Sequence, residues 1–134
     1  MTSNDELIQA AVAVLNPYQV GDRWFGDVAS ALVTSTGQVH VGVCIDTTSG
    51  TGFCAEHAAI AAMVTAREYK IAKIVAVWRG DDGVHVVSPC GRCREFIGQI
   101  DESNLDTEVI LGPDQTSALR DLLPANTWPG PLVP

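Results

Sequence analysis

Two hydrophobic periods alternate along this chain, one near 3.6 residues and one near 2, and their order predicts its elements. Leu7, Ala10, Ala11 and Val14 recur at helical spacing. Ser3 followed by Glu6 has the form of a capping box, so a helix is expected from Ser3 to about Leu15, ended by Asn16-Pro17. Residues 17–26 read as a loop carrying Tyr18, Trp24 and Phe25. Residues 28–34 and 38–45 are β-like runs around Ser35-Thr36-Gly37, a hairpin. A loop rich in Thr, Ser and Gly covers 46–52, and a helix follows over 54–69. Its first part, Ala58 to Val64, is apolar nearly all round, which predicts burial on several sides. Further strands are expected at 72–78 and 84–87, turning at Gly80-Asp81-Asp82-Gly83. Pro89-Cys90 opens a helix to about Ile100, then come a last strand at 107–111 and a last helix at 115–123. The tail from Pro124 holds four prolines and no predicted element. Strands followed by helices predict an α/β layer sandwich, formed by one domain over 1–134.

Composition narrows the partners. Hydrophobic residues at 46% and charged residues at 18% describe a folded globular chain. A net charge of -8, with eight Lys and Arg in all, argues against a nucleic-acid partner, since phosphate binding needs a cationic surplus. A small-molecule substrate fits better. The first residues, Met1 to Glu6, have neither the basic nor the apolar region of a signal peptide, and no apolar run approaches membrane-spanning length. A cytoplasmic location is expected, where the four cysteines persist as thiols or metal ligands, although an even set also allows two disulfides.

Three of those cysteines carry the chemistry. Cys54-Ala55-Glu56 and Pro89-Cys90-Gly91-Arg92-Cys93 supply three thiolates and one carboxylate. Three protein ligands are one short of a closed structural zinc site, leaving a position for water. Cys90 and Cys93 stand at i and i+3 on one helix, so their sulfurs share a face. Pro89 suits a first helical turn and holds Ser88 extended, its carbonyl free near the metal. Cys54 and Glu56 converge only by lying in the first turn of theirs. Positive partial charge at a helix start favours the thiolate form. Three thiolates on one divalent ion leave a net negative centre, so cations or N–H donors must withdraw charge from the sulfurs; Arg92, Arg94 and His57 are the candidates, with Arg94 and His57 preferred. Other readings stand beside this one: Cys44 completing a structural four-cysteine site, Cys44 as a buried small hydrophobe, Cys90-x-x-Cys93 as a redox pair, and His57 as a histidine satisfied by a buried hydrogen bond. His40 and His85 are expected to be structural or exposed, Trp24, Phe25 and Trp78 to lie in the core, and Arg92 to be a surface charge.

At these residues the chain resembles the cytidine deaminase family, most of all its blasticidin S deaminases. Ser88-Pro89-Cys90-Gly91-Arg92-Cys93-Arg94-Glu95 and Leu122-Leu123-Pro124 match the family pattern, and Gly42-Val43 leads into the substrate loop. The resemblance implies a three-layer α/β/α sandwich with a five-stranded mixed sheet, one zinc ion per subunit held by Cys54, Cys90 and Cys93, and a homotetramer. It implies hydrolytic deamination of a free cytosine-type nucleoside, with Glu56 moving protons between water, ring nitrogen and leaving ammonia. Substrate contacts would fall on Cys44, Asp46, Ala55 and Ser88, with Trp128 of the tail closing the pocket. Departures from the family bear on substrate. Nucleoside-specific members have Asn and Glu where this chain has Cys44 and Asp46; a stacking Phe aligns with Gly26, and the Arg after Cys-Ala-Glu is His57. A blasticidin-S-like substrate is therefore expected ahead of cytidine or deoxycytidine.

Overall fold

In the computed structural model, which describes residues 2–133, Ser3 caps the first helix as its spacing predicts. Its Oγ accepts the Glu6 N–H at 3.1 Å, and helix α1 runs Asn4–Val12. Strands β1 (Tyr18–Val20), β2 (Arg23–Thr34) and β3 (Val39–Ile45) follow, then α2 (Ala55–Thr65), β4 (Ile71–Gly80) and β5 (Gly83–Val87). Helix α3 (Gly91–Ile100), a 3-10 turn (Glu102–Asp106), β6 (Glu108–Gly112), β7 (Gln115–Ala118) and α4 (Leu119–Leu122) complete the order.

All the strands belong to one mixed sheet with the path β1-β2-β4-β6-β7, to which β3 adds on β2 and β5 on β4. The β4–β6 pair is parallel and the others antiparallel. Alternate residues of the central strands feed opposite cores. Ala31, Val33, Val75 and Val77 pack with Leu7 and Ala11 of α1, while Leu32 and Ile74 pack with Ala59, Ile60 and Met63 of α2 and Ile97 of α3. A sheet buried on both faces between helices is the expected α/β/α sandwich.

The sheet has seven strands where five were expected. The two additions are edge strands. β1 lies in the expected loop, paired with an extension of β2 through Tyr18↔Phe25 and Val20↔Arg23. β7 replaces the first half of the expected last helix: Gln115-Thr116-Ser117-Ala118 folds back on β6, and only Leu119–Leu122 is helical. Polar Thr and Ser with little helix propensity follow the Gly112-Pro113-Asp114 turn, and pairing with β6 satisfies their backbone groups. The long expected helix over 54–69 is likewise shorter at both ends, with Cys54 as its N-cap. One face of α2 is buried, whereas Ala61 and Val64 on the other are exposed within a single chain.

Gly42 and Asn104 set the spacing of these layers. A Cβ at Gly42 would stand 2.5 Å from both the Ala58 Cβ and the Ala59 nitrogen, so glycine is what lets α2 lie directly on β3. Asn104, fully buried in the 3-10 turn, accepts the Ile71 N–H at 2.8 Å and donates to the Tyr69 and Ile97 carbonyls at 3.0 and 3.2 Å. It thereby joins β4 to the end of α3. None of the helices is long and apolar enough to cross a membrane, among the described residues.

Candidate metal centre and substrate cavity

Two helices start at the same place. Cys54 is the N-cap of α2 and Cys90 the N-cap of α3; both have extended backbones, and neither side chain is spent on a capping hydrogen bond. Pro89 therefore precedes the cap instead of opening the first turn. Cys93 lies one turn into α3 and is fully buried. The Cys54 and Cys90 sulfurs are 3.6 Å apart and those of Cys90 and Cys93 3.5 Å. Ligands about 2.3 Å from a tetrahedral zinc stand roughly 3.8 Å from one another, so the thiols fit the ion. These are free thiols, which removes the disulfide alternative.

His57 joins the same group. Its Nδ1 is 3.5 Å from the Cys93 sulfur, and the donor atoms of Cys54, His57 and Cys93 all lie within 4.8 Å of one another. The ring stacks on Phe96 at 4.1 Å and 12°. Burial, reinforced by the Arg92 charge, lowers the His57 pKa, so the imidazole is neutral near pH 7. It can thus offer one nitrogen as donor or as ligand.

The thiols differ in their proton affinity. Burial pushes Cys54 up, and Cys93 much further, with Glu56 opposing a second negative charge beside it. Burial also works against the Cys90 thiolate, but hydrogen bonds from the Cys93 N–H and the neighbouring thiols outweigh it and lower its pKa. A coordinated cation would deprotonate all three. Glu56, in the first turn of α2, is 5% exposed, and burial raises its pKa. A carboxyl whose burial favours its protonated form is suited to carrying protons.

Beside this group opens a cavity of about 470 Å³, with Cys44, Asp46, Cys54 and Ala55 in its wall. Four positions expected at the site therefore share one surface. Arg94 serves otherwise than expected: its guanidinium donates to the Pro89 carbonyl at 2.9 Å and to Leu122 at 3.2 Å, bracing the turn that presents Cys90. The charge facing the cavity belongs to Arg92, expected at the surface, whose Nη1 reaches the Gly52 carbonyl at 3.4 Å. Ser88 is exposed beyond β5 and does not line the cavity. Trp128 is 88% exposed over a separate groove with Glu95 and Gln99, so within one chain it covers nothing here. Trp24 and Trp78, expected in the core, are about two-fifths exposed.

Asp27 went unremarked in the sequence yet lines the cavity and accepts the Cys44 thiol at 3.1 Å. The register of β2 against β3 shifts between Phe25 and Ala29, and this irregularity brings Asp27 to Cys44. Gly26 makes the shift with φ +70°, and a Cβ there would meet the Asn16 carbonyl oxygen at 2.6 Å. Glycine followed by aspartate where the expected loop meets the β-run was the only signal.

The profile of the cytidine and deoxycytidylate deaminase zinc-binding region matches residues 1–107. The chain belongs to this family. Solved cytidine deaminases share its fold. That of Mycobacterium leprae is 26% identical with a TM-score of 0.74, covering 91% of this chain and 98% of its own. That of Burkholderia pseudomallei is 27% identical with a TM-score of 0.73, covering 93% and 99%. That of Mycobacterium tuberculosis is 25% identical with a TM-score of 0.74, covering 90% and 94%. The family, with a cysteine-histidine group positioned for one zinc ion, establishes a zinc-binding deaminase domain.

Proposed function

We propose that this deaminase acts on a free cytosine-type nucleoside or analogue of the blasticidin S kind, converting the ring amine and water to a ring carbonyl and ammonia. The observation that carries the reading is a buried carboxyl, Glu56, in the first turn of the helix that Cys54 caps, with three convergent thiols of which Cys54 stands in the wall of a cavity. Cys54, Cys90 and Cys93 would hold zinc, which when bound supplies a Lewis acid that brings the pKa of water down toward about 7. His57, its ring held by Phe96, donates Nδ1–H to the Cys93 sulfur and eases the negative charge of a three-thiolate centre. Four protein ligands would close the position that substrate chemistry needs. Glu56 takes a proton from the attacking water, passes it to the ring nitrogen, and then assists departure of the amine as ammonia.

Cys44 and Gly26 favour an analogue over cytidine. A thiol cannot offer the paired donor and acceptor of an amide, and Gly26 has no ring to stack on a base. Cytidine or deoxycytidine is the second reading, favoured by similarity to solved cytidine deaminases along nearly the whole chain. Zinc-loaded protein incubated with cytidine, deoxycytidine, cytosine and blasticidin S, followed by ammonia release and ultraviolet change, separates the two. Turnover confined to blasticidin S supports the first; efficient turnover of cytidine supports the second; no release from any overturns both. The exposed Ala61 and Val64 on the apolar helix α2 support the homotetramer, which sedimentation velocity reads directly.

A further inference from the structure

A second hollow, of about 610 Å³, shares Asp27 with the cavity. Its wall also carries Trp24, Trp78 and Asp81, with Arg79 as its one cation. Trp78 is held in place: His85 stacks on it at 5.6 Å, and the indole lies over Gly80, where a Cβ would meet it at 2.8 Å. His85 is itself tied to Asp82 at 2.7 Å. None of Asp27, Asp81 and Arg79 enters an ion pair among the described residues. Among the described residues Asp27 receives only the Cys44 thiol, a weak donor that orients one oxygen.

We propose that Asp27, with Trp24, Trp78 and Asp81, forms a subsite for a cationic group carried on the sugar end of the substrate. Ligand cavities commonly enclose about 300–1,000 Å³, so the first cavity alone is of nucleoside scale and the second accommodates an extension from it. Aromatic faces beside unpaired carboxylates select a cation, through ring quadrupole and charge together. The inference rests on the deaminase reading and names the substrate class within it.

The test compares 5′-amino-5′-deoxycytidine, cationic at pH 7, with neutral cytidine on the zinc-loaded protein. The ratio of their kcat/KM values is expected to favour the amine about tenfold at low salt and to shrink as salt rises. Asp27→Asn keeps an acceptor for Cys44 but removes the charge, and should lower that ratio about tenfold, mainly through KM of the amine. Trp24→Ala should lower it by about threefold. A wild-type ratio near one, or a ratio unmoved by Asp27→Asn, overturns the proposal. Should neither compound be deaminated, the deaminase reading fails while calorimetric titration still reads the subsite. Tighter binding of the amine that depends on Asp27 supports it, and equal or absent binding overturns it.

Discussion

Glu56 and Gly26 show how much of this protein rests on single positions. Glu56 is a carboxyl that burial biases toward its protonated form, beside thiols and in the first turn of a helix. Glu56→Gln keeps the shape and removes the proposed proton carrier. It should lower kcat by about 10³-fold while zinc content, read by atomic absorption, stays at one per chain. Loss of zinc with the variant would instead place Glu56 among the ligands. Gly26 works through the backbone. Its φ of +70° and the 2.6 Å approach of a Cβ to Asn16 make Gly26→Ala costly twice over. Denaturant unfolding should show a loss of about 2–4 kcal/mol, and the Asp27–Cys44 contact depends on the same local shift.

At the scale of elements, the site is made by two helix starts and the strands that aim them. Cys54 and Cys90 act as N-caps without capping, which leaves N–H groups at both helix ends free to face negative sulfur. α2 is brought onto β3 at Gly42, and α3 is tied back to β4 by Asn104. Asn104→Ala would leave the Ile71 N–H and two carbonyls without their partner inside the core. Stability should fall by about 3 kcal/mol in urea unfolding. The proposed zinc ligands Cys90 and Cys93 sit at the opposite end of α3, so the variant's metal content should be unchanged.

For the whole molecule, zinc held by the proposed ligands would also be a cross-link, because Cys54 and Cys90 lie 36 residues apart in sequence. Removing it with a chelator should lower the thermal midpoint by about 10 °C, and zinc should restore it while magnesium does not. An unchanged midpoint would mean that the thiols pack adequately without the ion. The cysteine motif of a zinc-binding deaminase, the two helices that Cys54 and Cys90 open and the five strands β2 to β6 were legible in the chain. Each depends on residues near in sequence: a Cys-x-x-Cys spacing, a proline before a cap, an apolar run of period 2 or 3.6. What tertiary structure decided depends on pairing at a distance. Edge strands β1 and β7 exist because β2 and β6 offer them partners, and their own sequences have no strong preference. Arg92 faces the cavity, Arg94 is turned to two carbonyls, and Trp128 lies over another groove, all through orientations that spacing alone does not set. Asp27 reaches Cys44 only because the strand irregularity at Gly26 brings it there. Sequence determined which chemistry this protein carries, since ligand identity is local; the fold decided what that chemistry faces, since a cavity wall is assembled from residues far apart in the chain.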